Sequence, residues 1–110
     1  MKAKVEIEAG VCGFRTTACM TSEDNQNVTF DVQSTCEKIQ RLGALLHEKS
    51  PVDAYAEISP EAESVVMGAV RSTLKGCCAG CAVPAGLFKA MQVAAGLALP
   101  RDISIILSKE

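Results

Sequence analysis

The spacing of apolar residues changes near residue 34, and this change constrains the fold more than any other feature of the chain. Before it, apolar and polar residues alternate over 3–9 and 28–33, and 15–21 is an extended run rich in Thr. Alternation with a period of two is typical of a strand with one buried face. A polar turn at 22–27 separates the last two runs. These segments predict an antiparallel meander of three strands with one face in solvent.

After residue 34 the apolar residues recur at helical spacing. Ser34 and Glu37 have the spacing of a capping box, and the first helix is predicted from about Thr35 to Glu48. A proline at the start and a glycine at the end predict two further helices, from Pro60 to Gly76 and from Pro84 to Gly96. The residues expected on the buried faces of the three helices are Ile39, Leu42, Leu45 and Leu46, then Ala62, Val65, Val66, Ala69, Val70 and Leu74, then Leu87, Phe88, Met91, Ala94 and Ala95.

A last alternating run, Asp102–Ser108, predicts a final strand with Ile103, Ile105 and Leu107 on its inner face. The order βββαααβ indicates an α+β fold in which helices cover one face of a four-stranded sheet. A length of 110 residues fits a single α+β domain over 1–110. Hydrophobic residues make up 48% of the chain and aromatic ones only 4%, so the core is expected to consist of aliphatic side chains.

Charge and hydropathy argue against two classes of partner. The formal net charge is -2 and the signs are interspersed, so no positive field would attract nucleic acid or an anionic membrane. The most apolar run, Ala79–Pro100, is interrupted by Lys89 and Gln92 and is not expected to span a membrane. The charged residues that follow Met1 do not form a signal peptide, and a cytoplasmic location is expected.

Six cysteines are the part of the sequence that indicates chemistry. A reducing compartment keeps thiols free, and a high cysteine content there indicates metal or redox chemistry rather than disulfides. Cys78 and Cys81 have the Cys-x-x-Cys spacing with which two thiolates bind one zinc or iron. Cys77 is the alternative to Cys78, because adjacent side chains usually diverge and do not bind one metal together.

The other two ligands must come from distant positions. Cys36 falls in the first turn of the first predicted helix and Cys81 just before the third, where the helix dipole favours a thiolate. Cys12 lies in a loop between strands, where Gly10 and Gly13 let backbone amides approach a sulfur. The predicted metal ligands are therefore Cys12, Cys36, Cys78 and Cys81, with Gly10 and Gly13 as further cofactor-binding positions.

Cys19 and His47 are also of residue types that can bind a metal ion, but both are interpreted as structural. Cys19 alternates with Ala18 and Met20 and is expected on the opposite face of its strand. Free cysteine is often a buried apolar filler, and Cys19 is interpreted in this way. His47, the only histidine, lies near the end of the first predicted helix, where it complements the helix dipole.

Two resemblances to known families concern the cysteines. The segment Leu74–Cys81, with a helix and a strand after it, resembles the Gly-x-Cys-x-x-Cys region in the C-terminal domain of iron–sulfur scaffold proteins. This resemblance implies that Cys78 and Cys81 bind a cluster. The motifs Gly10–Phe14, Cys81–Gly86 and Leu97–Pro100 together resemble a small family of uncharacterised prokaryotic proteins, which brings no known activity.

The sequence therefore predicts a protein that binds or carries a metal ion or an iron–sulfur cluster through thiolates, with a protein partner that receives the cofactor. Four thiolates suit both zinc and an iron–sulfur cluster, so both stay open. One alternative is a thiol redox protein in which Cys78 and Cys81 cycle between dithiol and disulfide. Another is a module that binds a small anion at the N-termini of the first and third helices. The sequence leaves the oligomeric state open.

Overall fold

The computed structural model describes residues 1–59 and 61–110, in which a four-stranded sheet forms one layer. β1 (Lys2–Glu8), β2 (Arg15–Thr21) and β3 (Asn27–Ser34) pair antiparallel to one another in chain order. A short β4 (Val52–Asp53) pairs antiparallel with the start of β3. The predicted meander of three strands is confirmed.

Helices form the second layer and cover one face of the sheet. α1 packs on β3, and α4 packs on β1 and β2. None of the helices in the described residues is long and apolar enough to cross a membrane. The predicted α+β class with a helix-covered sheet is confirmed. The helical elements are α1 (Glu37–Lys49), α2 (Ala54–Glu57), α3 (Val65–Thr73), a 3₁₀ turn (Gly76–Gly80) and α4 (Val83–Ala94).

The core lies between the sheet and the helices and is aliphatic apart from Phe30. Most of the predicted helical core residues are buried. Leu45 and Phe88 are half-buried, and Ala62 and Val65 are exposed. Ala62 is exposed because it precedes α3, which begins at Val65. Val65 is exposed because it lies off the buried face formed by Val66, Ala69 and Val70.

Both long helices begin at the same end of the sheet. Two residues separate the end of β3 from the start of α1, which runs back along that strand. Near the start of α4, Gly86 packs on Ile7, and beyond its end Gly96 lies beside the side chain of Met1. α4 therefore runs opposite to β1. The N-termini of both helices lie at the end of the sheet that carries the connection 9–14 between β1 and β2.

The fourth strand comes from a different segment than predicted. Residues 99–110 have no regular secondary structure, so the predicted strand Asp102–Ser108 is wrong. The strand in fourth position is Val52–Asp53. An alternating apolar run becomes a strand only when a neighbouring backbone pairs with it, and no described part of this chain does so.

α3 corresponds to the second predicted helix, which was expected from Pro60, and it begins later than predicted. Its expected first residue, Pro60, lies outside the described residues, and 61–64 are not helical. Ser64 is the N-cap, and the buried carboxylate of Glu57 accepts the first two amide N–H groups of the helix at 2.7 Å each. A carboxylate at a helix N-terminus is stabilised by the free amides and by the dipole. Glu57 therefore fixes the start of α3.

Candidate thiolate site

Five of the six cysteines lie at one end of the molecule. Cys12 is in the connection 9–14, Cys36 is the N-cap of α1, and Cys81 precedes α4. Cys77 and Cys78 belong to the 3₁₀ turn. We refer to this region as the cysteine end. All six thiols are free, and three segments far apart in the sequence contribute the five that lie here.

Cys78 and Cys81 form a fixed pair. The Cys81 amide donates to the Cys78 carbonyl at 3.1 Å, which closes one tight turn between them. In 3₁₀ geometry the side chains three residues apart lie on the same side. Both are half-buried and pack against the core, whereas Cys77 is exposed. Of the two alternatives for the first ligand of the motif, this geometry favours Cys78.

The 3₁₀ turn has one side chain facing the protein, that of Cys78; its other residues are exposed. The predicted helix stop at Gly76 lies beyond the end of α3, which ends at Thr73 with Leu74 as its C-cap. Gly76 has a left-handed backbone with φ of 68°, which suits glycine and turns the chain into the 3₁₀ segment. The glycine thus lies in the turn that leads into the 3₁₀ segment and does not end the helix.

Lys38 joins the start of α1 to the 3₁₀ turn. Its Nζ donates to the Sγ of Cys78 at 3.4 Å, and the contact is partly buried. The ammonium group places a positive charge beside this sulfur. No sequence pattern indicated Lys38, because a lysine on a helix is usually solvated and only the folded chain brings it to a thiol.

Cys36 takes the N-cap position that the sequence pattern assigned to Ser34. The Ser34 hydroxyl accepts the Cys36 amide at 3.0 Å, so the predicted capping box does not form. The Cys36 side chain makes no capping hydrogen bond, and its half-buried sulfur lies at the positive end of the helix dipole. The Thr35 amide donates to the Arg15 carbonyl at 3.0 Å, which holds this junction beside the start of β2.

Cys12 lies on an exposed turn. Gly10 and Gly13 both have a left-handed backbone, with φ of 96° and 75°, and the Gly13 amide donates to the Gly10 carbonyl at 2.9 Å. The two predicted cofactor-binding glycines therefore shape the turn that presents Cys12. Because the Gly13 amide is bonded within the turn, it is not free to approach a sulfur in this conformation.

The cysteine end has the chemistry of a thiolate site, but its sulfur atoms are not gathered around one point. Among residues 1–59 and 61–110, no three His, Cys, Asp or Glu side chains are grouped closely enough to hold a metal ion. The predicted ligands Cys12, Cys36, Cys78 and Cys81 share this end without forming a closed centre. A metal ion would require the exposed turn of Cys12 or the 3₁₀ turn to move inward.

Cys19 and His47, the two residues interpreted as structural, lie away from the cysteine end. Cys19 is on the outer face of β2, opposite Ala18 and Met20, as predicted. It is exposed, however, so its interpretation as a buried filler is wrong. Its strand has only one buried face, and Cys19 lies on the other. His47 is in the last turn of α1 and donates from Nδ1 to the Phe30 carbonyl at 2.9 Å.

The fold and the thiols together define a small α+β protein with five free cysteines at the end of the sheet where two helices begin. The chain belongs to a protein family of unknown function, DUF6951, whose model matches residues 3–107. This match agrees with the resemblance to a family without a known activity. Comparisons with curated proteins and with solved structures found no significant match.

Proposed function

We propose that the protein binds a metal ion or an iron–sulfur cluster at the cysteine end, through Cys78, Cys81, Cys36 and Cys12. The observation that supports this most is that five of the six cysteines lie at this end, although three separate segments contribute them. A dithiol reaction needs two thiols, and a packing role would bury them. A thiolate metal centre uses four cysteines, so it accounts for more of the five at this end than a dithiol reaction does.

The four ligands have different roles in this proposal. The pair Cys78 and Cys81 supplies two sulfurs at a fixed spacing. Cys36 supplies the third from the α1 N-cap, and the exposed turn of Cys12, shaped by Gly10 and Gly13, supplies the fourth when it closes over the site. An exposed ligand exchanges readily, which suits delivery of the cofactor to a protein partner in the reducing cytoplasm.

Charge supports the same proposal. Four thiolates around one Zn²⁺ carry a net charge of about -2, and an iron–sulfur cluster with four thiolates is also anionic. The N-termini of α1 and α4 each contribute positive dipole charge at this end. The Lys38 ammonium group, 3.4 Å from the Cys78 sulfur, adds a full positive charge. The positive charge at this end of the molecule would therefore compensate the negative charge of such a centre.

Anaerobic purification followed by metal and sulfide analysis and an absorption spectrum tests the proposal. We expect either iron with sulfide and visible absorption, or zinc at one ion per chain. Cys36→Ser and Cys81→Ser are each expected to abolish retention of the metal. Cys19→Ser is the matched control, because it removes an exposed thiol on a strand away from the cysteine end, and it is expected to retain the metal.

Two results would contradict the proposal: equal loss of metal in Cys19→Ser, or a wild-type protein that binds neither metal nor cluster after reconstitution. The second result would favour the redox alternative, for which the fixed spacing of Cys78 and Cys81 is the specific support. In that reaction the two thiols lose two protons and two electrons to a disulfide substrate, which becomes two thiols. Alkylation and mass spectrometry after exposure to oxidised glutathione would then detect a Cys78–Cys81 disulfide.

A further inference from the structure

The C-terminal segment 99–110 exposes apolar side chains that a small protein usually buries. The exposed fractions are 52% for Ile103, 67% for Ile105, 91% for Ile106 and 90% for Leu107. The segment lacks regular secondary structure, although β-branched residues in alternation are typical of a strand. A contiguous exposed run of this kind marks an interaction surface.

β1 offers a matching free edge. In the described part of the chain its outer side pairs with no other strand. Its inward residues Ala3, Val5 and Ile7 are only half-buried, whereas Ala18 and Met20 in the next strand are buried. The helices therefore leave the β1 side of the core incompletely covered. A free sheet edge is a template for the addition of another strand.

We propose that residues 102–108 pair with β1 of a second copy of this chain, and that reciprocal exchange of the two segments closes a dimer. Gly96 lies beside Met1, so the segment leaves each copy close to the start of its own β1. It nevertheless stays exposed and unpaired there. One chain thus carries both a donor strand and an acceptor edge on the same side, and a two-fold arrangement uses both.

Charge selects the direction of pairing. In the parallel register with matched apolar residues, Asp102 lies beside Lys2, so opposite charges meet at the start of the added strand. The antiparallel register that keeps the contact between Ile105 and Val5 places Asp102 opposite Glu8, which is repulsive. The parallel register is therefore favoured. Its apolar neighbours are Ile103 and Ala3, Ile105 and Val5, and Leu107 and Ile7.

Sedimentation velocity of the full chain over a concentration series tests the dimer. Wild-type protein is expected to be a dimer, and Ile105→Lys is expected to raise the dimer dissociation constant at least about tenfold. Ile106→Lys is the matched control, because Ile106 faces away from the core in the added strand and lies beside Glu6. It is expected not to raise the dissociation constant, because the added positive charge would lie beside Glu6. All the substituted residues are exposed in the single chain, and circular dichroism checks that the fold is retained.

A charge exchange tests the register. Asp102→Lys is expected to weaken the dimer, and the double variant with Lys2→Asp is expected to restore it. A monomeric wild-type chain would overturn the proposal, and so would a dimer that Ile105→Lys leaves unchanged. If the chain is a monomer and the amides of 103–107 resist hydrogen exchange, the segment pairs with β1 of its own chain. That result would overturn the proposed pairing with a second copy. Assemblies larger than a dimer would overturn the reciprocal exchange.

Discussion

At the scale of single residues, Asp24 holds together the turn between β2 and β3. Its carboxylate accepts the amides of Gln26 at 3.0 Å and Asn27 at 2.8 Å, and also the Asn27 side-chain amide at 2.8 Å. These hydrogen bonds, that from the Asn27 side chain first, lower the pKa of Asp24 from 3.8 to about 2. Because the folded state prefers the ionised form, its stabilisation is complete above pH about 4 and is lost as the pH falls through about 2.

We therefore expect Asp24→Asn to lower the free energy of unfolding at pH 7 and to have a smaller effect as the pH falls towards 2. Urea denaturation at several pH values measures the difference. Glu23→Gln is the control, because it removes a neighbouring exposed carboxylate from the same turn. A loss at pH 7 that persists unchanged at low pH, or an equal loss in Glu23→Gln, would contradict the role of the Asp24 carboxylate.

At the scale of elements, α1 approaches β3 so closely at Gly43 that no larger residue fits. A Cβ atom at Gly43 would lie 2.8 Å from the Cβ of Val32, which is fixed to the backbone of β3. Gly43→Ala is expected to lower the free energy of unfolding by about 1–3 kcal/mol, although alanine favours a helix. Urea denaturation with an unchanged slope would show that stability alone has changed.

Gly68 in α3 is the matched control for Gly43, since a Cβ atom there would meet nothing within 4 Å. Gly68→Ala is expected to raise the free energy of unfolding by up to about 1 kcal/mol, because it adds only helix propensity. If Gly43→Ala were as stabilising as Gly68→Ala, the close packing of α1 on β3 would be contradicted.

Elements with a long, regularly spaced pattern of apolar residues could be predicted from the sequence. Short elements held in place by distant contacts could not. β4 has two residues and therefore no periodicity; it exists because Asp53 pairs with Asn27 across the chain. The same Asp53 carboxylate caps α2 by accepting the amides of Tyr55 and Ala56. The run Asp102–Ser108 has the opposite property, a clear strand pattern without a partner in the single chain.

At the scale of the whole molecule, the sequence predicted which cysteines share a region, but not their geometry. Cys36, Cys78 and Cys81 could be located because each lies at a helix start or in a turn that the glycines and prolines mark. The Lys38 contact with Cys78 could not be predicted, because it depends on how α1 packs beside the 3₁₀ turn. The exposure of Cys19 follows from a sheet with only one covered face.

Among the described residues, no backbone hydrogen bond directly joins the parts of the molecule that a bound metal ion would connect. Metal binding is therefore measurable as a gain in stability. Under the proposed function, one Zn²⁺ ion ties the Cys12 turn and the N-terminus of α1 to the 3₁₀ turn before α4. Zn²⁺ at about 100 times its dissociation constant is then expected to raise the free energy of unfolding by about 2.7 kcal/mol. Calorimetry under reducing, anaerobic conditions should show the increase in wild type and in Cys19→Ser, and none in Cys36→Ser. The same increase in Cys36→Ser would show that Cys36 is not a ligand and would contradict the proposed set of four.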